Sequence, residues 1–257
     1  DNVARYMVGT TDLSIIYTPS TFKNPRSMDS YPHLKAHLDK FRDVISSDNK
    51  PYGLHRSRVE SFFVGEKIVA LRKCAGRPIF AYANGLNYMS ATFYVIKTNR
   101  VNMKYLTGLL NSKLIEFWLK NKGKMQGANY QLDKEPLQQI PIAVPSNDVQ
   151  EIVAKLVDMI ILLNTTDERA SELVQNSYIS SELEKLIDGC IYEIYLPREM
   201  AGMSVITVLR NYIKQKDSIS IDDIWELYMK IDSTGIIESL NSLSLSSSET
   251  LRTIILS

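Results

Sequence analysis

Cysteine, histidine and closely spaced glycine are scarce in this 257-residue chain, and each shortage removes a class of chemistry. Cys74 and Cys190 are its two cysteines and lie far apart in sequence. That leaves neither a disulfide framework nor a CxxC metal site, and it fits a reducing, cytoplasmic setting. No two of the eleven glycines stand two apart, so no GxG of any kind exists. The dinucleotide fingerprint and the glycine pattern of a methyl-donor pocket go with it, and a GxxxxGK(S/T) phosphate loop is missing too. There is no Pro-Pro pair, hence no Asn-Pro-Pro-aromatic motif. Three histidines, at 33, 37 and 55, do not assemble a convincing nucleophilic triad. No apolar run approaches the roughly 18 residues of a membrane span. The opening DNVARYMVGTTDLS lacks a basic region followed by an apolar one, so no secretory signal is expected. It also lacks an initiator Met and begins in mid-pattern, as expected of a fragment.

What is present is ordinary in bulk and uneven in detail. A content of 44% hydrophobic and 23% charged residues suits a soluble globular protein with room for one large or two small domains. The net charge of +1 hides an asymmetry. Residues 52–124 hold thirteen Lys or Arg against Glu60, Glu66 and Glu116, and the remainder is net acidic. A basic block in an acidic chain is what a polyanion-binding surface requires, because neutralised phosphates release counterions. A solvated lysine-rich face is the plainer reading of the same charges. His33 and His37 have an i, i+4 metal-ligand spacing but no third ligand. Asp48-Asn49-Lys50 has a nuclease-like spacing but sits in a polar loop without a partner acid.

Periodicity organises the chain as α+β followed by helices. LSIIY (13–17), SFFV (61–64), KIVALRK (67–73), PIFAYA (78–83) and ATFYVIKT (91–98) are strand-like runs. Residues 31–45 have Leu34, Leu38, Phe41 and Ile45 at helical spacing, with Pro32 in the first turn. Residues 103–122 read as one helix, and QQIPIAV as a short strand bracketed by prolines. The last third reads as a series of helices with Ser204 and Ser220 as N-caps, then a serine-rich loop. A mixed or antiparallel sheet domain with flanking helices is expected over 1–145, and a helical domain over 146–257.

One constellation suits a nucleic acid. Arg56 and Arg58, two apart, share one side of an extended segment, and Arg grips phosphate or the guanine edge bidentately. Arg72, Lys73 and Arg77 cluster around the turn after KIVAL. Lys120, Lys122 and Lys124 flank Gly123 and Gly127, where a missing side chain lets the backbone approach a sugar-phosphate chain. Gln126, Asn129 and Gln131 offer amides suited to adenine N6 and N7, and Tyr130 can stack, pack or donate.

The succession YPHLKAHLDKF, YGLHRSRVESFFVGEKIVALR, FAYANGLNYMSATFYVI, YLTGLLNSKLIEFWL and KGKMQGANYQLDKEPLQQIPI resembles the TaqI-like target-recognition region. That region belongs to adenine-specific DNA methyltransferases and fused type II restriction-modification enzymes. ELEKLIDGCIYEIYLPREM is similar to the helix that follows it in large fused enzymes, so the resemblance covers most of residues 31–199. Arg56 and Arg58 match the family's His-Arg-Pro-Arg motif, with Ser57 in place of Pro. The resemblance implies that this chain reads double-stranded DNA, and the missing signatures leave no catalytic residue, metal or cofactor expected of its own. A methyltransferase domain N-terminal to it in the same polypeptide would use S-adenosylmethionine, and a fused nuclease would add Mg²⁺. Two other readings stand beside this one: a protein-interaction module whose basic strands meet an acidic partner, and an enzyme with an unrecognised site.

Overall fold

The computed structural model describes residues 2–45, 52–54, 57–213, 219–246 and 248–257. By contacts the chain forms two compact units, one of Asp1–Thr10, Glu66–Asn84 and Met89–Ser257, the other of Thr11–Gly65 and Gly85–Tyr88. The class is the expected one, mixed α+β with two small sheets and then a largely helical region. Residues on both sides of Pro145 lie in the larger unit.

The smaller unit is built around short turns and α1 (Pro32–Asp39), whose first position is the anticipated proline. Leu34 and Leu38 of the helical stripe are only half buried. LSIIY makes no strand, and Leu13 stands 84% exposed. SFFV also departs from expectation: Glu60–Phe62 is a 3-10 turn that delivers Phe63 into a cluster with Tyr17 and Tyr88. The three rings gather at centroid separations of 5.0 to 5.8 Å, within the range of favourable aromatic pairs.

The strands are β1 (Tyr6–Met7), β2 (Lys67–Leu71), β3 (Lys73–Ala75), β4 (Phe80–Ala83), β5 (Phe93–Ile96), β6 (Lys124–Gln126) and β7 (Asn129–Gln131). All belong to the larger unit. One sheet has the order β1-β4-β2-β5, parallel between β1 and β4 and antiparallel elsewhere. Its central strands bury both faces: Ile68, Ala70 and Phe80 join the main core, while Val69, Ala81 and Ala83 form a second cluster. This is why KIVAL and FAYA read as continuous apolar runs. The second sheet, β3-β7-β6, is antiparallel throughout. KIVALRK is therefore split between two sheets. Arg72 is the joint: its N–H donates to Thr92 O at 3.0 Å, and its carbonyl accepts from Leu132 N at 2.8 Å.

The run 103–122 is two helices, α2 (Met103–Asn111) and α3 (Lys113–Lys122). Ser112 breaks them with an extended ψ of 157° and caps α3 by accepting from Ile115 N. α4 (Lys134–Gln138) follows, and QQIPIAV forms no strand because Pro141 and Pro145 remove ladder donors. Tyrosines satisfy its backbone instead. Tyr195 Oη accepts from Ala143 N and donates to Pro141 O, and Tyr105 Oη donates to Ala143 O. Then come α5 (Asn147–Thr165), α6 (Asn176–Tyr195), α7 (Val205–Ile213), α8 (Ile221–Asp232), α9 (Ile236–Asn241) and α10 (Glu249–Leu256). α8 carries a full capping box from Ser220 and Asp223, as its sequence suggested. The serine-rich stretch is more ordered than expected, with α9, a 3-10 turn and Ser248 capping α10. Ile152, Leu156 and Ile160 of α5 pack with Leu183 and Ile187 of α6 in the same core as α2. Each such side chain contributes about 1.5–3 kcal/mol by leaving water.

Candidate nucleic-acid interface

The β3-β7-β6 sheet sorts the central basic residues by strand alternation. Cross-strand rows are Lys73–Gln131–Lys124, Cys74–Tyr130–Met125 and Ala75–Asn129–Gln126. Successive side chains point to opposite faces, so the middle row faces one way and the two outer rows the other. The middle row enters the core, with Cys74 and Tyr130 buried. The outer rows place Lys73, Lys124, Gln126, Asn129 and the half-buried Gln131 together on the open face. Five of the polar residues singled out in the sequence are thus brought together by a single small sheet.

β6 and β7 are joined by Gly127-Ala128, a two-residue hairpin turn. Gly127 has φ +61° at the first turn position, which a type II′ turn demands and side chains resist. Gly123 is needed for a different reason. A Cβ there would lie 2.4 Å from Leu119 O, the carbonyl that accepts the Gly123 N–H at the end of α3. Both glycines expected to admit a sugar-phosphate chain are therefore accounted for by the chain's own backbone.

The outer face has its own electrostatic order. Asp133, two residues beyond Gln131, accepts from Gln131 Nε2 at 3.2 Å and pairs with Lys124 Nζ at 3.2 Å. Those two contacts hold its carboxyl below the usual carboxylate range, Gln131 contributing most. Asp133 escaped attention in the sequence; its i, i+2 offset from Gln131 was the available signal. Arg72 leans over the Tyr94 ring at 5.1 Å and donates to Ala91 O at 3.3 Å, while remaining exposed. Beside it lies a hollow of about 700 Å³ whose lining includes Arg72, Lys73, Thr92, Phe93 and Gln131. A second hollow, of about 350 Å³, borders Lys73, Ala75, Gln126 and Asn129. The face is concave beside its polar groups.

Other expected contacts lie elsewhere. Tyr130 is 4% exposed, and burial raises its phenol above the ordinary value, with Glu116 adding to it. Its ring is interior packing. Arg77 turns inward: Nε meets Glu116 Oε2 at 2.7 Å and a terminal nitrogen meets Glu184 Oε2 at 3.4 Å. Arg5 pairs with Glu184 at 2.7 Å, and Lys113 with Glu116 at 3.3 Å. Asp188 accepts from Lys113 N at 2.8 Å, and burial pushes its carboxyl up to about 6 against the pull of that hydrogen bond and of Arg77 and Arg5. Part of the sequence's positive block is thus spent on interior carboxylates. Lys122 is exposed at the end of α3, whereas the Lys120 ammonium donates to Ser257 O. Arg58 is exposed in the smaller unit, its carbonyl accepting from Tyr17 Oη. Arg56, His55 and Asp48-Asn49-Lys50 lie outside the described residues. His33 and His37 are on α1, the latter beside Phe41. Among the described residues no three His, Cys, Asp or Glu side chains gather as a metal site would need, and no helix is long and apolar enough to cross a membrane.

Residues 1–142, more than half of the chain, match the model of the TaqI-like C-terminal specificity domain. The match spans both sheets and ends just before the helical region, so the likeness noted in α6 falls outside it. No curated protein matches the chain.

Proposed function

The chain belongs to the family of TaqI-like C-terminal specificity domains, and from that membership we propose that it selects the double-stranded DNA target of an adenine-N6 methyltransferase or restriction-modification enzyme. The observation that carries the reading is the open face of β3-β7-β6, where Lys73 and Lys124 stand beside Gln126, Asn129 and Gln131. Lysines there neutralise phosphates and fix register, while the carboxamides of Gln126 and Asn129 address base edges. Lys122, Arg72 and Arg58 are assigned to the phosphate backbone, and Arg56 goes with Arg58 by motif.

Functionally the chain divides near Pro145, with 1–145 reading DNA and 146–257 serving as a helical spacer that supports it. Methyl transfer belongs to a domain N-terminal to this one in the same polypeptide. S-adenosylmethionine would be held there. Mg²⁺ enters only with a fused nuclease. No turnover is assigned to this chain.

Fluorescence anisotropy with labelled duplexes between 50 and 200 mM salt tests the reading. Binding whose log K falls linearly with log salt, by about 0.9 per neutralised phosphate, is expected. Absence of binding, or binding without a salt slope, refutes it. Charge reversal at Arg58 and Lys122 separates it from a protein-interaction role: duplex binding is lost in the first case, and only partner binding changes in the second.

A further inference from the structure

On the premise that this face meets DNA, we propose that Gln126 and Asn129 act as one adenine-reading pair at the tip of the β6–β7 hairpin, and that Gln131 is withheld from readout.

The two residues are direct cross-strand partners in the row next to the turn. Their neighbours Met125 and Tyr130 face the core, so the two carboxamides project together from the opposite face. Both are exposed, and neither carboxamide is engaged by another described residue. The turn between them is Gly127-Ala128, small and exposed, as both carboxamide residues are. Two strands about 4.8 Å apart, with their side chains, fit a major groove about 12 Å wide. The hollow beside Lys73 and Ala75 leaves room for a base-pair edge to approach.

A carboxamide presents a donor beside an acceptor, which matches the N7 acceptor and N6 donor of adenine. Guanine offers two acceptors, N7 and O6, and leaves the amide oxygen facing a lone pair. The row behind differs. Gln131 and Lys124 both contact Asp133, which engages the amide and sets a negative charge beside it. That row is about 6.8 Å back along the strand, or two base-pair steps. It positions the hairpin, and the tip reads.

Selection from a fully randomised duplex pool with the whole chain, followed by sequencing, tests this. The wild-type chain is expected to enrich a motif containing A·T pairs. Gln126→Ala and Asn129→Ala should each lose roughly tenfold or more discrimination at one or two adjacent A·T positions, with the rest of the motif and the salt slope unchanged. Gln131→Ala should leave the motif intact. Gln126→Glu keeps the side-chain shape and should move the preference at its position toward cytosine, whose N4 donates. If both alanine variants return the wild-type motif, or lose a G·C position, the pair is not the reader although the chain still reads DNA. If the wild-type chain enriches nothing, the DNA-reading premise falls and the pair with it.

Discussion

Replacing Arg77 by Met separates two uses of one guanidinium. By sequence Arg77 belongs with Arg72 and Lys73 as a DNA contact; in the fold it holds Glu116 and Glu184. Met keeps the apolar stem and removes the charge. Neither carboxylate is orphaned, since Lys113 stays with Glu116 and Arg5 with Glu184. The loss is one good charge-assisted contact at 2.7 Å and two long ones, to Glu184 at 3.4 Å and to Asn111 O at 3.5 Å, from a side chain 33% exposed. A charge-assisted hydrogen bond contributes about 1.5–3 kcal/mol, and stripping one partner from a fully buried pair costs 3–5. Partial exposure and the remaining cations place Arg77→Met near 2 kcal/mol of lost stability, read as a lower urea midpoint with an unchanged m-value. Arg77→Met combined with Glu116→Gln should cost less than the two singly, because the replaced partners belong to one network. The duplex salt slope should stay at its wild-type value under folding conditions. An unchanged urea midpoint with a salt slope smaller by about 0.9 would place the guanidinium on phosphate and refute the inward assignment.

Other perturbations report on other parts. Asp188 holds its proton up to about pH 6 in the folded chain, against an unfolded value near 3.9, so its ionisation erodes stability as pH rises between those values and by a constant amount above them. Asp188→Asn should therefore gain on the wild type by about 2 kcal/mol at pH 7 and by almost nothing near pH 3.5, in denaturation curves at the two pH values; equal differences at both would count against this. Gly127→Val should destabilise the hairpin by about 1–2 kcal/mol through its φ of +61°, seen as faster amide exchange confined to β6 and β7. Lys73→Ala should reduce the duplex salt slope by about 0.9, while Asp133→Asn should tighten non-specific binding by releasing Lys124.

Legibility differed by element for physical reasons. KIVAL and FAYA announced themselves because both their faces are buried, and Ser220 with Asp223 announced the start of α8. The break at Ser112 was hidden because Leu109, Leu110, Ile115 and Leu119 keep helical spacing through it. LSIIY and SFFV misled because strand propensity needs a ladder partner, and neither finds one among the described residues. The candidate face was half legible. The residue types in KGKMQGANYQ pointed to DNA, but the face each occupies depends on pairing with Lys73–Ala75, some fifty residues earlier. Arg77 could not be placed from sequence because its partners, Glu116 and Glu184, arrive from two distant helices.

The family match stops at residue 142, yet Tyr6, Phe80, Leu109 and Tyr130 share one hydrophobic interior with Ile152, Leu156, Ile187 and Leu209. A graft that cuts there to exchange specificity between proteins would open that interior to water on both halves. On the proposed reading, reprogramming is better served by repainting the surface: Gln126 and Asn129 are exposed and can vary while their alternate neighbours Met125 and Tyr130 keep the scaffold closed. If that face reads DNA as proposed, target preference can drift at little cost to folding.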